Sequence, residues 1–148
     1  MSKSLALLDS NILVFASVSE HPYHDVAFDL VKSGVQGVKP YALAEQNLLE
    51  WYSVITSSKQ RFEPLTPNDA QKVLSGYQSS RLTIVRPNQA TFVILQEILN
   101  QTPPANGKDI YDRYLAATVL SNGIDTILTD NVKDFTNIPG LTAINPFR

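Results

Sequence analysis

Four separated points of this chain carry acidic residues in settings where a carboxylate can do chemistry. The residues are Asp9, Glu50, Asp112 and, in the fourth segment, Asp130 with Asp134. The first and last points follow short apolar runs that are typical of buried strands, and the middle two fall near helix starts. If the strands are parallel, such ends converge at one edge of a sheet. Carboxylates gathered there would bind Mg²⁺ or Mn²⁺, since both ions prefer hard oxygen ligands.

Each acidic residue also has an ordinary structural explanation. Asp9 is a good N-cap for the segment that follows it. Glu50 could lie on a solvated helix face, and Glu45 is an alternative acid nearby. Asp112 could pair with Asp109 in a capping box at a helix start. Asp and Asn in the fourth segment are typical of a turn. The order of the four points along the chain therefore supports a metal site more than any single residue does.

Composition predicts one folded domain spanning residues 1–148. Of the 148 residues, 43% are hydrophobic and 18% are charged, which is typical of a globular chain. The absence of Cys excludes disulfides and thiolate metal sites, and it fits a reducing, cytoplasmic setting. No apolar run reaches the ~18 residues of a membrane span, and residues 1–4 do not form a signal peptide. A net charge of −2 argues against a basic nucleic-acid coat but is compatible with a metal-dependent nuclease.

Strand-like runs alternate with helix-like segments along most of the chain. The predicted strands are residues 5–8, 35–39, 82–85, 125–129 and 141–145, and the predicted helices include 11–17, 46–57, 88–100 and 109–121. Thr66 and Pro67 are typical of an N-cap and first helical residue, and residues 103–107 form a predicted loop. This alternation predicts an α/β fold with a mainly parallel sheet and helices on both faces.

Other catalytic signatures are weak or missing. His21 and His24 have a spacing that occurs in metal sites, but no third His or Cys supports them, so we expect surface residues at a helix start. The chain has no glycine-rich phosphate loop, serine elbow or cysteine nucleophile. Asp9 lacks the second Asp two positions later that would supply the acid in one class of phosphatase.

The local sequences around these acids resemble the PIN domain, and in particular the VapC-type toxins of toxin–antitoxin pairs. The matching segments are residues 7–13, 47–56, 111–118, 122–123, 127–135 and 138–141. The resemblance implies a three-layer α/β/α fold with a central, mainly parallel sheet of four to five strands. It also implies a divalent metal, Mg²⁺ or Mn²⁺, endoribonuclease activity, a cognate antitoxin protein and a homodimer.

The resemblance carries the role of metal-binding acid over to Asp9, Glu50 and Asp112. In the fourth segment, many PIN domains have Asp at the position of Asn131, whereas the toxin-like pattern Thr-x-Asn-x-x-Asp-Phe fits this chain. We therefore predict Asp130 as a fourth metal ligand and both Asp130 and Asp134 as catalytic residues, with Asn131 as an alternative.

The function predicted from the sequence is metal-dependent hydrolysis of RNA, with scattered Lys and Arg residues binding the RNA backbone and Arg113 the first candidate among them. A catalytically silent PIN-like module that binds a protein or RNA partner is the main alternative. A phosphohydrolase acting on small phosphate esters is a third possibility.

Overall fold

The computed structural model of the chain describes residues 4–104 and 106–148. The helices are α1 (Ser10–Ser17), α2 (His24–Val35), α3 (Glu45–Ile55), α4 (Pro67–Gln78), α5 (Thr91–Gln101) and α6 (Ile110–Ser121). The strands are β1 (Ala6–Leu8), β2 (Tyr41–Ala44), β3 (Thr83–Val85), β4 (Thr126–Leu128) and β5 (Thr142–Ile144). Two short 3-10 turns span Gly107–Asp109 and Val132–Phe135. Most of the segment examined for a signal peptide, residues 1–3, and Ala105 of the predicted loop lie outside the described residues.

The five strands form one sheet in the order β3-β2-β1-β4-β5, and every neighbouring pair is parallel. β1 is the central strand, where Leu7 pairs with Ala42 of β2 and Ile127 of β4. Its neighbours are therefore strands that lie far from it in the sequence. The predicted α/β fold with a parallel sheet of four to five strands is confirmed.

Alternating residues of the short strands supply two separate hydrophobic clusters. Leu7 and Ile127 face the cluster that contains residues of α5 and α6. Leu8 and Leu128 face the opposite cluster, which contains residues of α1, α2, α3 and α4. Both sheet faces are therefore covered by helices, which gives the fold three layers, α/β/α, and the central strand β1 is wholly apolar, as expected for a strand buried on both faces. Within residues 4–104 and 106–148, no helix combines the length and apolar character needed to cross a membrane.

The predicted strand at residues 35–39 is wrong. α2 continues to Val35, the chain turns at Gly37 with a φ of 73°, and β2 begins only at Tyr41. Gly34 lets α2 approach its neighbours, since a Cβ there would lie 2.5 Å from the Leu82 side chain. The pair Ser33-Gly34 is typical of a helix end and predicts one here, but Gly34 is a packing residue inside α2.

The start of α5 also differs slightly from the prediction. The predicted helix start at Asn88 lies before α5, which begins at Thr91. The Asn88 Oδ1 atom accepts a hydrogen bond from the Ala90 N–H at 2.9 Å, and its Nδ2 donates to the Ser121 carbonyl at 2.9 Å. Asn88 therefore forms the turn that leads into α5 and joins it to the end of α6.

Candidate active site

A cavity of about 240 Å³ opens beyond the carboxyl end of β1. It is lined by Asp9, Ser10, Asn11, Val14, Phe15, Glu50, Val54, Asp112, Asn131 and Asp134. The parallel sheet explains its position, because ligand sites in such folds lie outside the carboxyl ends of the strands. The predicted acids Asp9, Glu50 and Asp112, together with Asp134 of the fourth segment, thus line the same cavity.

Asp9 connects β1 to α1 and lies at the base of this cavity. It is the N-cap of α1, and only 7% of its surface is exposed. Its Oδ1 accepts hydrogen bonds from the Ser10 N–H at 2.8 Å and from Asn47 Nδ2 at 3.4 Å. Thr129 Oγ1 donates to its Oδ2 at 2.8 Å. The capping role predicted for Asp9 is therefore real, and it coexists with a place at the cavity.

Glu50 lies on α3 and is half-buried. Its Oε1 atom is buried and accepts no hydrogen bond from any described residue. Burial, followed by repulsion from Asp9 and Asp112, raises the pKa of Glu50 to about 7. The solvated helix face that a lone helical glutamate usually occupies is therefore not its environment.

Asp112 lies in the first turn of α6 and is also half-buried. Burial first, then repulsion from Asp134 and Asp9, raises the pKa of its carboxyl to about 6. The predicted capping box with Asp109 does not form, because α6 has no side-chain cap. Asp109 instead accepts a hydrogen bond at 3.3 Å from the N–H of Asn106 in the preceding 3-10 turn.

The three candidates of the fourth acidic segment do not all reach the cavity. Asn131 and Asp134 line both the cavity and a neighbouring depression of about 510 Å³, whereas Asp130 lines only the depression. Thr129 is buried against Asp9, and Asp130 Oδ1 accepts a hydrogen bond from Asn145 Nδ2 at 3.4 Å. The structure therefore does not bring the predicted ligand Asp130 into the cavity.

The 3-10 turn Val132–Phe135 returns the chain to the cavity at Asp134. Phe135 anchors the turn, with 1% of its surface exposed in the cluster under α5 and α6. Arg113 Nη1 donates to the Asp134 carbonyl at 3.2 Å, and its Nε donates to the Thr102 carbonyl at 3.1 Å. Arg113, expected to contact RNA, thus ties this turn to the end of α5.

Both histidines lie beside α1 rather than among the carboxylates. The His21 ring stacks on Phe15 with centroids 3.9 Å apart, and His24 Nδ1 hydrogen-bonds with the Phe15 carbonyl at 2.9 Å. Phe15 itself lines the cavity. We infer that the histidines support its wall, a role that sequence spacing alone does not indicate.

The oxygen donors around the cavity fit a divalent cation. In the part of the chain that is described, no three acidic or histidine side chains already stand close enough to form a complete metal site. Even so, Glu50 has a buried oxygen that accepts no hydrogen bond from the described residues, and burial, with mutual repulsion added to it, raises the pKa values of Glu50 and Asp112. A cation among these carboxylates would relieve that repulsion and satisfy the unpartnered oxygen.

Sequence comparison identifies a family for most of the chain. Residues 6–141 match the PIN domain. The chain belongs to the PIN domain family. The matched range contains the cavity residues Asp9, Glu50, Asp112, Asn131 and Asp134.

Two curated relatives of this PIN domain protein come from Mycobacterium tuberculosis. Ribonuclease VapC24 is 26% identical over 132 residues, covering 88% of each chain. Ribonuclease VapC43 is 25% identical over 124 residues, covering 83% of this chain and 84% of the relative. The matches therefore extend over most of both proteins.

Solved structures share the fold. VapBC2 from Rickettsia felis, bound to a DNA fragment from its promoter, matches with a TM-score of 0.67 and 24% identity, covering 95% of this chain and 98% of that chain. VapBC-1 from nontypeable Haemophilus influenzae matches with a TM-score of 0.67 and 16% identity, covering 97% and 99%. At these identities the likeness supports the three-layer fold.

Proposed function

We propose that this PIN domain protein is a divalent-metal-dependent endoribonuclease that acts as the toxin of a toxin–antitoxin pair. The observation that carries the proposal is the carboxylate cluster around one cavity, formed by the buried Asp9 and the half-buried Glu50 and Asp112. The names of the relatives, Ribonuclease VapC24 and Ribonuclease VapC43, support RNA as the substrate. Structural neighbours described as VapBC and as a toxin–antitoxin complex support a cognate antitoxin as partner. A homodimer remains the expected assembly.

Asp9, Glu50 and Asp112 would hold Mg²⁺ or Mn²⁺ through their carboxylate oxygens, and Asp134 is proposed as the fourth acid. When bound, such a metal lowers the pKa of a water molecule and offsets charge on a phosphodiester in the transition state. Asp9 brings a carboxylate oriented by Ser10, Asn47 and Thr129. Glu50 Oε1 accepts no hydrogen bond within residues 4–104 and 106–148 and can accept a proton or a metal bond.

Asn131 distinguishes the fourth segment of this chain from that of many PIN domains. Its side chain lines the cavity and is exposed, so it can reach a bound substrate. A neutral amide there adds no repulsion to the carboxylate cluster and can donate to a phosphate oxygen. We propose that Asn131 contacts the substrate and that Asp134 supplies the charge.

The test replaces cavity acids by their neutral isosteres. Asp9→Asn and Asp112→Asn should each lower Mn²⁺-dependent RNA cleavage by at least about 100-fold while circular dichroism remains that of the folded protein, because each removes a proposed metal ligand. Cleavage is measured on labelled RNA with Mn²⁺ and again with EDTA.

Asp130→Asn is the matched control, because Asp130 lies outside the cavity, and it should retain cleavage within about 2-fold of the unsubstituted protein. Cleavage that survives both cavity substitutions, or that is insensitive to EDTA, would contradict the proposed activity. A large loss in Asp130→Asn alone would move the fourth acid from Asp134 to Asp130.

A further inference from the structure

Asn47 is a fully buried polar residue beside the carboxylate cluster. Its side chain has no exposed surface, and it lies in the first turn of α3, directly after β2. Its Oδ1 accepts a hydrogen bond from the Ala44 N–H at 2.9 Å. A buried amide must satisfy both of its ends, so the position of its Nδ2 atom is informative.

The bond from Ala44 fixes the orientation of the Asn47 amide. With Oδ1 turned to the Ala44 N–H, Nδ2 faces Asp9 Oδ1 at 3.4 Å. The reversed amide would put an NH₂ group against an N–H and a carbonyl oxygen against a carboxylate, so both contacts would become repulsive. Asn47 is therefore a hydrogen-bond donor to Asp9.

This contact joins Asp9 to α3, the helix that carries the second proposed metal ligand, Glu50. The other bonds to the Asp9 carboxylate come from Ser10, on its own segment, and from Thr129, after β4. Asn47 alone among these partners lies on α3. Glu50 follows three residues later, and residues at that spacing are neighbours on one helix face.

We propose that Asn47 is a positioning residue that couples the Asp9 carboxylate to α3 and so sets its place relative to Glu50. The inference rests on the proposed ribonuclease function and deepens it. Asn47 does not touch the reacting atoms; it holds the carboxylate that would. Partners of this kind behind a metal ligand change affinity or activity by roughly 10- to 100-fold when they are lost.

Asn47→Asp separates this positioning role from the capping role. An aspartate keeps an oxygen for the Ala44 N–H, and its charge suits the first turn of a helix. It cannot donate to Asp9 while ionised, and it places a second acceptor beside Asp9 Oδ1. Asn47→Ser, which also offers an oxygen to the Ala44 N–H but adds no charge beside Asp9, is measured with it, and a residue that only capped α3 would tolerate this second change. A loss in Asn47→Asp that Asn47→Ser does not share would reflect the added charge and overturn the proposal.

The experiment measures kcat and KM for RNA cleavage and, separately, the Mn²⁺ concentration that gives half of the thermal stabilisation. For Asn47→Asp we expect kcat to fall roughly 10- to 100-fold and the half-saturating Mn²⁺ concentration to rise roughly 10-fold. KM for RNA should stay within about 2-fold, since the substrate surface is unchanged.

Asn88→Asp is the matched control. Asn88 also accepts from a backbone N–H through Oδ1 and donates through Nδ2, but its acceptor is the Ser121 carbonyl, away from the cavity. This variant should keep the kcat and the Mn²⁺ half-saturation of the unsubstituted protein. Equal losses in both variants would overturn the proposal, because they would reflect a general cost of the Asn to Asp change.

Each remaining outcome also decides the point. Unchanged kcat and Mn²⁺ half-saturation in Asn47→Asp, with the unsubstituted protein active, would overturn the role of Asn47 alone. An unsubstituted protein that neither cleaves RNA nor is stabilised by Mn²⁺ would overturn the proposed function itself. If Asn47→Asp does not fold, Asn47→Ser alone decides the point, and failure of both to fold would show a structural role and overturn the proposal.

Discussion

Asp9 accepts hydrogen bonds from Ser10, Asn47 and Thr129, and yet burial raises the pKa of its carboxyl above the ordinary value. Donors to a carboxylate stabilise its charged form, whereas removal from water destabilises it, and here the second effect is larger. Glu50 and Asp112 follow the same rule with fewer donors. Ionisation of all three carboxyls is therefore favoured when a cation compensates their charge, and disfavoured in its absence.

The ionisation of Glu50 and Asp112 predicts how the stability of the metal-free protein depends on pH. Both pKa values are raised on folding, from 4.5 to about 7 for Glu50 and from 3.8 to about 6 for Asp112. Between those limits the folded chain holds protons that the unfolded chain has released, so stability is full at the acid end and falls as pH rises. We expect the melting temperature in EDTA to fall between about pH 4.5 and about pH 7.

Glu50→Gln should flatten this dependence and raise the melting temperature at the alkaline end, because it removes a charge that folding disfavours. Glu97→Gln, on an exposed part of α5, is the matched control and should retain the slope of the unsubstituted protein. Differential scanning fluorimetry across the range measures both variants. A metal-free protein that becomes more stable from pH 5 to pH 7, or a Glu50→Gln profile identical to that of the control, would contradict the expectation.

The position of the 3-10 turn Val132–Phe135 depends on Arg113, a residue of α6. The turn is only four residues long. The Arg113 guanidinium donates one hydrogen bond to the Asp134 carbonyl in the turn and another to the Thr102 carbonyl at the end of α5. Hydrogen bonds from a charged donor are worth about 1.5–3 kcal/mol. We therefore expect Arg113→Gln to lower the free energy of unfolding by about 2 kcal/mol in urea titrations and to reduce RNA cleavage through the loosened turn.

Arg86→Gln is the control for this prediction. Arg86 pairs with Glu45 at 3.1 Å on the surface, where such pairs contribute about 0–1 kcal/mol. Its substitution should change stability by less than about 1 kcal/mol. If Arg113→Gln were no more destabilising than Arg86→Gln and impaired only KM for RNA, Arg113 would be a substrate contact and not a clamp.

Local sequence determined some elements well and others poorly. Thr66 and Pro67 start α4 as predicted, because an N-cap hydroxyl and a proline at the first position act within one turn. The position of β2 was predicted wrongly because Gly34 is typical of a helix end. In the fold, Gly34 instead leaves space for the Leu82 side chain, and this contact depends on the tertiary structure. The same limit applies at the site. Residue type identified Asp130, Asn131 and Asp134 as candidates, but which of them faces the cavity depends on the path of the turn.

For the molecule as a whole, strand order brings the site together. β1 lies between β2 and β4, so Asp9, the start of α3 and the segment after β4 become neighbours although they are distant in sequence. α6 then supplies Asp112 from the layer on the other side of the sheet. Asn47 had no signal of its own in the sequence, since its partner Asp9 is brought to it only by this arrangement. The complete carboxylate cluster consequently exists in the folded chain and not in the unfolded one.

A cation that binds this cluster should therefore stabilise the whole fold. A ligand specific for the folded state adds RT ln(1 + [L]/Kd), about 2.7 kcal/mol at 100 times Kd. For a domain of this size that corresponds to a rise in melting temperature of roughly 10 °C in saturating Mn²⁺. Asp9→Asn should lose most of this rise, and Asp130→Asn should keep it.

The rise requires no substrate, so it also separates a metal-binding nuclease from a silent PIN-like module, which need not bind the ion. A melting temperature indifferent to Mn²⁺ in the unsubstituted protein would favour the silent module.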